Sequence, residues 1–187
     1  MSGKQNKNQF LALLRGINVG GNNIIAKDDL RRCFEQLGFD NVRTYIQSGN
    51  ILFFTEETRV KELTESIEAG LAERFDYDAK AVVIPQRKYA SAVRSAPDDW
   101  GADDDRKHNA IFTMGDITPK KLMAQLDAPD PQLETVTIGP GVIFWSASKE
   151  QIVKTTIMKL GKSRLYRDVT VRNHNTVFKL LELFRGK

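Results

Sequence analysis

The residues best suited to chemistry lie in a glycine- and asparagine-rich segment, LLRGINVGGNN, that runs from Leu13 to Asn23. Consecutive glycines such as Gly20 and Gly21 let backbone N–H groups turn toward an anion, because no Cβ stands in the way. The guanidinium of Arg15 can add charge and a two-pronged hydrogen bond. The segment lacks the G-x-G-x-x-G spacing and the GK[ST] ending of phosphate-binding loops. It therefore predicts either an anion site or a turn whose Asn side chains bond their own backbone.

Other reactive side chains are scarce. The chain has two histidines, His108 and His174, and one cysteine, Cys33. This set is too small for the usual zinc site, so we expect no metal and no cofactor. A second set of polar residues flanks His174 and precedes the helix predicted at 176–184. These residues form either part of a site or the cap of that helix. That group consists of Arg172, Asn173 and Asn175. The sequence names no reaction and no catalytic residue.

The bulk properties are those of a globular protein in a reducing compartment. No apolar run approaches the roughly 20 residues that span a bilayer, and the start MSGKQNKNQ has no apolar signal region behind it. A single cysteine excludes an internal disulfide. We therefore expect a soluble, cytoplasmic protein with no membrane partner.

Basic residues are concentrated toward the end of the chain. The net charge is +4, but residues 149–187 hold ten Lys or Arg against three acidic residues. Such asymmetry indicates either a solvated basic face or a surface for an anionic partner. The residues that would form a nucleic-acid surface are Lys154, Lys159, Lys162, Arg164, Arg167 and Arg172.

Hydrophobic periodicity predicts a strand–helix–strand–strand–helix–strand order in the first half, which is the ferredoxin-like plan. The predicted strands are 10–17, 42–47, 51–55 and 79–84, and the helices are 27–37 and 60–75, with Thr58 as the cap of the second helix. Both faces of the first strand are apolar, so we expect the second face of the sheet to be covered by the other unit or by a second copy of the chain.

The second half repeats this order. The predicted strands are 108–113, 133–138, 142–146 and 169–172, and the helices are 86–94, 119–126, 150–160 and 176–184. Two short echoes support a duplication: LLRGIN with FTMGDI, and SGNILFF with GPGVIFW. The fold class predicted is α+β, with two ferredoxin-like βαββαβ units of mainly antiparallel sheets and helices packed on them. The units predicted are residues 8–96 and 106–187, because the composition turns polar between them.

In this plan the first and second strands run parallel, with the third between them. The ends of the first two strands and the start of the third therefore share one edge of the sheet. The prediction is one small polar depression at that edge, surrounded by Arg15, Asn18, Gly20, Gly21, Gln47, Ser48 and Asn50.

Three long segments resemble a known family. LLRGINVGG, LGFDNVRTYIQSGNILF and TVRNHNTVFKLLEL are similar to the bacterial family called domain of unknown function 1697, over about residues 10–183. The resemblance implies a bacterial protein of ferredoxin-like units without an established activity. The signature positions that it implies are Arg15, Gly16, Asn18, Val19, Gly20, Gly21, Tyr45, Gln47, Ser48, Gly49, Asn50, Arg172, Asn173, Asn175 and Thr176.

Three function classes remain open from the sequence. The first is a binding module or enzyme for a small phosphorylated or carboxylated ligand at the sheet edge. The second is a nucleic-acid-binding module that uses the basic segment. The third is a structural protein or homo-oligomer without a ligand.

Overall fold

The computed structural model describes residues 7–18, 24–47, 49–76 and 78–186. The chain divides into two units, of which the first ends at Lys88 and the second begins at Tyr89. The strands are β1 (Asn8–Arg15), β2 (Asp40–Tyr45), β3 (Asn50–Thr55), β4 (Lys80–Pro85), β5 (Arg106–Thr113), β6 (Glu134–Gly139), β7 (Val142–Ser148) and β8 (Val169–Asn173). The α-helices are α1 (Lys27–Gln36), α2 (Val60–Phe75), α3 (Gln86–Val93), α4 (Pro119–Met123), α5 (Thr156–Leu160) and α6 (His174–Phe184).

The sheet of the first unit has the order β2-β3-β1-β4, and each neighbouring pair is antiparallel. This is the ferredoxin-like arrangement predicted from periodicity. Helices α1 and α2 cover one face, because each has apolar side chains at spacings of three and four residues. The helix residues that face the sheet are Leu30, Cys33, Phe34, Leu63, Ile67 and Leu71.

Phenylalanines fill the core of the first unit. The rings of Phe10 and Phe53 stack at 5.8 Å between centroids, and Phe34 and Phe39 pack against Phe53. The Cys33 thiol is buried in the same core, and this burial raises its pKa. Cys33 therefore behaves as a small core residue.

The opposite face of this sheet is buried as well. Leu11 and Leu13 alternate with the helix-facing residues of β1 and are 0% exposed, and Leu52 of β3 is 1% exposed. Both faces of the central strands are therefore buried, as the apolar pattern of the first strand predicted.

The second unit repeats the topology, with the strand order β6-β7-β5-β8 and antiparallel neighbours throughout. Each unit also contains the same turn contact. The Leu14 N–H donates to the Gly49 carbonyl at 2.8 Å, and the Thr113 N–H donates to the Gly141 carbonyl at 3.4 Å. Gly49 and Gly141 are therefore equivalent, so the echo between SGNILFF and GPGVIFW is shifted by one residue from its literal alignment.

Residues 150–160 do not form the continuous helix that the sequence predicted. A 3₁₀ turn covers Ile152–Lys154, α5 covers Thr156–Leu160, and a second 3₁₀ turn covers Arg164–Asp168. The break lies at Thr155, which has extended backbone and whose hydroxyl accepts from the Met158 N–H at 3.2 Å. A side chain that caps a new helix at this point ends the preceding turn.

The start of α2 also differs from the prediction that Thr58 caps it. The capping position is Arg59, whose side chain makes no capping bond. The carboxylate of Glu57 accepts instead from the Thr58 and Arg59 N–H groups, each at 2.8 Å. A carboxylate before the helix thus supplies the acceptor that the Thr58 hydroxyl was expected to supply.

Composition predicted the division between the two units in the polar stretch at 97–105. The structure divides the chain earlier, after Lys88. Tyr89 packs in the second unit, where its hydroxyl donates to the Val177 carbonyl at 2.9 Å and its ring stacks on Phe112. Trp100, within the polar stretch, is 5% exposed and packs on Phe144. The polar stretch is therefore anchored to the second unit.

Among the helices of the described residues, none combines the length and the apolar character needed to cross a membrane.

Candidate functional site

Asn18 ties the segment after β1 to two other parts of the first unit. Its side-chain Nδ2 donates to the Gln47 carbonyl at 2.7 Å and to the Ile25 carbonyl at 3.0 Å, and its Oδ1 accepts from the Ile25 N–H at 2.8 Å. Asn18 has a φ of +51°, a left-handed conformation that Asn adopts more readily than most residues. One side chain thus holds both ends of the 18–25 segment beside the turn after β2.

The turn between β2 and β3 lies directly against the end of β1. Gly49 has a φ of +69°, and a Cβ added there would lie 2.8 Å from the Leu14 Cβ. Asn50 is 1% exposed, and its Nδ2 donates to the Tyr45 carbonyl at 3.1 Å across the turn. Glycine is therefore required for the close approach, and Asn50 supports the turn from inside.

The register places two cations side by side at this edge. Arg15 of β1 lies opposite Lys80 of β4. Arg15 alternates with the helix-facing residues of β1, so its side chain leaves from the face opposite α1 and α2. The Lys80 side chain, on the edge strand β4, reaches Glu68 of α2 instead. Lys80 lies 3.3 Å from the Glu68 carboxylate, which raises the pKa of its ammonium group above the ordinary value. Lys80 therefore keeps its positive charge at neutral pH.

Helix α1 begins on the other side of the same edge. Its capping residue, Ala26, offers no side-chain acceptor, while Asp28 and Asp29 occupy the first turn. These carboxylates already complement the positive end of the helix dipole. Because α1 and Arg15 lie on opposite faces of the sheet, the dipole and the guanidinium act on different sides of the edge.

Four of the seven residues predicted to surround the depression are described, and all four lie at this edge: Arg15, Asn18, Gln47 and Asn50. Arg15 is half-buried, Gln47 is exposed, and Asn18 and Asn50 are engaged in the bonds given above. The remaining three, Gly20, Gly21 and Ser48, lie outside the described residues.

The second predicted group serves the fold of the second unit. The Arg172 guanidinium is buried and donates to the Thr170 hydroxyl and the Val171 carbonyl, each at 2.8 Å. Burial lowers its pKa to about 10, against the opposing effect of the neighbouring Tyr89. The Asn173 side chain accepts from the Thr176 N–H at 2.8 Å and caps α6, while Asn175 is exposed. Arg172 therefore cannot contribute to the exposed basic surface that the nucleic-acid alternative requires.

The other predicted basic residues lie on the broken segment between β7 and β8, where their side chains reach solvent. They are Lys154, Lys159, Lys162, Arg164 and Arg167. Lys159 and Arg167 have carboxylate neighbours at 3.8 Å, Asp127 and Asp168 respectively.

Both histidines pack among aromatic residues of the second unit. His108 is 4% exposed, with Nδ1 at 2.8 Å from the Ser146 hydroxyl and Nε2 at 2.9 Å from the Asp103 carbonyl. His174 lies 5.3 Å from it between ring centroids. In the part of the chain that the structure describes, no group of three His, Cys, Asp or Glu side chains is placed to hold a metal ion.

Sequence reasoning missed Glu134. This side chain is 2% exposed, and its carboxylate accepts from the Trp145 indole at 2.7 Å and from the Thr156 N–H at 2.6 Å. The available signal was an acidic residue at the start of a predicted strand, in LETVTIG.

Comparison with known proteins identifies the family. The model of the family described as "Protein of unknown function (DUF1697)" matches residues 8–144. The chain belongs to this family. A search of curated proteins finds no match.

A solved structure extends the likeness across both units. The conserved bacterial protein SP0830 from Streptococcus pneumoniae is 29% identical to this chain, with a TM-score of 0.84. The match covers 96% of this chain and 99% of that one. The fold predicted from the sequence is therefore shared with an experimentally determined structure of similar length.

Proposed function

We propose that the first unit binds a small anionic ligand, a phosphate or carboxylate group, at the edge where β1 ends. Arg15 is the residue that would clamp the anion, Gln47 would orient it, and Asn18 would hold the loop in position. The observation that carries the proposal is the double attachment of the Asn18 side chain to Ile25 and Gln47.

The Asn18 bonds support the proposal because they hold Asn18 and Ile25, the two ends of the loop, beside Gln47 before a ligand arrives. A loop that is already held in place loses less conformational entropy on binding. Both polar atoms of the Asn18 side chain form hydrogen bonds with backbone groups, so Asn18 serves as a positioning residue. Asn50 has the same kind of role, because its buried amide supports the turn that presents Gln47.

The charge at the edge supports an anion as the ligand. Arg15 lies opposite Lys80 in the register, and Lys80 is 45% exposed in spite of its contact with Glu68. An arginine fork suits a carboxylate or phosphate better than a neutral group. A charge-assisted hydrogen bond contributes about 1.5–3 kcal/mol, which corresponds to roughly ten- to hundredfold in affinity.

Calorimetric titration tests the proposal. Inorganic phosphate, glycerol 3-phosphate, acetate and, as the neutral comparison, glycerol are titrated into the wild type and into Arg15→Gln. Arg32→Gln is the matched control, because Arg32 is 60% exposed on α1 and only 3.6 Å from Asp29. We expect the wild type and Arg32→Gln to bind at least one anion equally well, and Arg15→Gln to bind it at least tenfold more weakly.

Two results would refute the proposal. One is that no anion binds the folded wild type with a Kd below about 10 mM. The other is that Arg15→Gln and Arg32→Gln bind equally well. Arg15→Lys keeps the charge without the fork and is expected to bind with intermediate affinity, so it distinguishes loss of binding from loss of folding should Arg15→Gln unfold.

A further inference from the structure

The sheet of the second unit has a cavity of about 280 Å³ on the face that α5 covers. The floor comes from β5, β7 and β8, and the walls come from the broken segment between β7 and β8. The lining residues are mostly apolar: Asn109, Ile111, Trp145, Ile157, Met158, Leu160, Gly161, Tyr166 and Val171.

The cavity lies at a connection in which the two units differ. In the first unit the connection between the third and fourth strands is α2, a 16-residue helix that packs three buried residues onto the sheet. In the second unit the same connection holds only the 5-residue α5 between two 3₁₀ turns. The short helix α5 leaves part of the sheet uncovered, whereas a long helix such as α2 would cover it.

The sheet beneath the cavity differs in the same way. Because Leu14 is equivalent to Thr113, the strand register makes the Phe10–Phe53 pair of the first unit equivalent to the Asn109–Trp145 pair of the second. Two stacked phenylalanine rings are thus replaced by an amide and an indole. The half-buried Asn109 introduces a polar group into a position that the first unit uses for core packing.

The walls of the cavity are held by buried hydrogen bonds. Glu134 accepts from the Trp145 indole at 2.7 Å and from the Thr156 and Ile157 N–H groups of α5 at 2.6 and 3.4 Å. Thr155 caps the same helix. These bonds fix α5 relative to the floor, so the cavity is formed before any ligand enters.

The exposed lining residues of the cavity are apolar, and basic residues adjoin the lining residues in the chain. Met158 and Tyr166 are 39% and 42% exposed. Their chain neighbours Lys159 and Arg167 are exposed, and so is Lys162, which follows the lining residue Gly161. Within the described residues, no carboxylate lies within 4 Å of Lys162, and the partners of the other two lie at 3.8 Å.

From this combination we infer that the cavity binds a small amphipathic anion, with its apolar body inside and its carboxylate at the mouth. A cavity of about 150 Å³ holds benzene. A volume of 280 Å³ therefore suits one or two rings or a short aliphatic chain. The basic rim selects an acid over a neutral molecule of the same shape. This site is separate from the proposed anion site of the first unit and does not depend on it.

Methyl NMR tests the inference, because Met158 lines the cavity and Met114 does not. The protein is labelled at its methionine methyl groups and titrated with indole-3-acetate and with its neutral counterpart tryptophol. Hexanoate and hexanol form a second, aliphatic pair. We expect each acid to shift the Met158 signal saturably while the Met114 signal stays constant. We also expect each acid to bind about fivefold more tightly than its alcohol at low salt, with a smaller ratio at 0.5 M salt.

Three variants locate the effect. Val171→Phe places a ring in the cavity and should abolish binding of all four probes, with the Met114 signal reporting that the fold is retained. Lys162→Gln combined with Arg167→Gln should remove the preference for the acids. Lys120→Gln combined with Lys121→Gln makes the same charge change on α4 and should leave that preference intact.

The inference is overturned if neither acid shifts Met158 at 10 mM. It is also overturned if acid and alcohol bind equally in the wild type, or if Val171→Phe folds and still binds.

Discussion

The carboxylate of Glu134 accepts a hydrogen bond from the indole of Trp145 at 2.7 Å, and both side chains are at most 2% exposed. The same carboxylate accepts from the first N–H groups of α5, Thr156 and Ile157. A buried carboxylate is costly unless donors surround it, and here three donors do so. One acidic side chain thus joins two strands to the short helix that covers the cavity.

Replacing Glu134 by Gln should destabilise the second unit by about 1–3 kcal/mol, because an amide nitrogen would face a donor in place of an oxygen acceptor. Urea unfolding followed by tryptophan fluorescence measures the change. Glu150→Gln is the control, since Glu150 is exposed. Equal unfolding midpoints for the two variants would contradict the assigned role of Glu134.

Asn18→Gly should release the segment after β1 without straining its backbone, because glycine tolerates the φ of +51°. The Ile25 amide loses its acceptor, the Asn18 Oδ1. Its hydrogen exchange should therefore become about tenfold faster. Asn41→Gly is the matched control, because Asn41 has a φ of +49° and the described residues show no hydrogen bond from its side chain. Unchanged exchange at Ile25 in Asn18→Gly would refute the expectation.

Gly49→Ala and Gly141→Ala compare equivalent turns in the two units. Both positions have positive φ, near +70°, so each alanine should cost about 1–2 kcal/mol in backbone strain. Only at position 49 would the new Cβ also meet a neighbour, the Leu14 Cβ at 2.8 Å, whereas nothing lies within 4 Å at position 141. Denaturant unfolding should show a larger loss for Gly49→Ala. If Gly141→Ala lowered the unfolding free energy as much as Gly49→Ala, the close approach of Gly49 to Leu14 would make no contribution to stability.

His174 should make the folded protein less stable as the pH falls below about 6.5. Burial lowers its pKa below the ordinary 6.5, and the nearby His108 lowers it further, while Asp104 opposes the shift. The unfolded chain therefore takes up a proton before the folded protein does. Its contribution is complete above about pH 6.5 and is lost as the pH falls from there through the lower folded pKa.

The measurement is the unfolding free energy of wild type and His174→Phe between pH 7.5 and pH 5. The wild type should lose more stability over this range than the variant, with a slope difference of up to about 1.4 kcal/mol per pH unit. Parallel pH profiles for the two proteins would contradict the assignment to His174.

Regular elements were predicted well because their signals are local. The stripe from Val60 to Phe75 is helical, and the alternating and apolar runs around the SGN turn are strands β2 and β3, within two residues of their observed ends. The helix predicted at 150–160 was wrong because a threonine in its middle, Thr155, caps a new helix instead of continuing the old one. A side-chain bond to the backbone decided between two conformations that the hydrophobic pattern does not separate.

The edge of the first unit was predictable in outline, because strand order follows from the order of elements along the chain. That order correctly placed the turn at Gly49 beside the end of β1. It did not show that Arg15 and α1 lie on opposite faces, since this depends on the phase of a strand whose two faces are both apolar. Nor did it show that Arg172 is buried, because arginine is mostly exposed in proteins and no local pattern marks this one as an exception.

Sequence patterns were enough to predict the two ferredoxin-like units, the family and the position of Arg15, Asn18, Gln47 and Asn50 at the edge of the first sheet. These predictions rest on periodicity, turn chemistry and long matching segments, and each of these signals depends only on residues that are close together in the sequence. The tertiary structure was needed to show the register that pairs Asn109 with Trp145 and the hydrogen bond from α5 to Glu134. It alone revealed the cavity beneath that helix. Those features join residues far apart in the chain, and their energies come from packing and buried hydrogen bonds that no local pattern encodes.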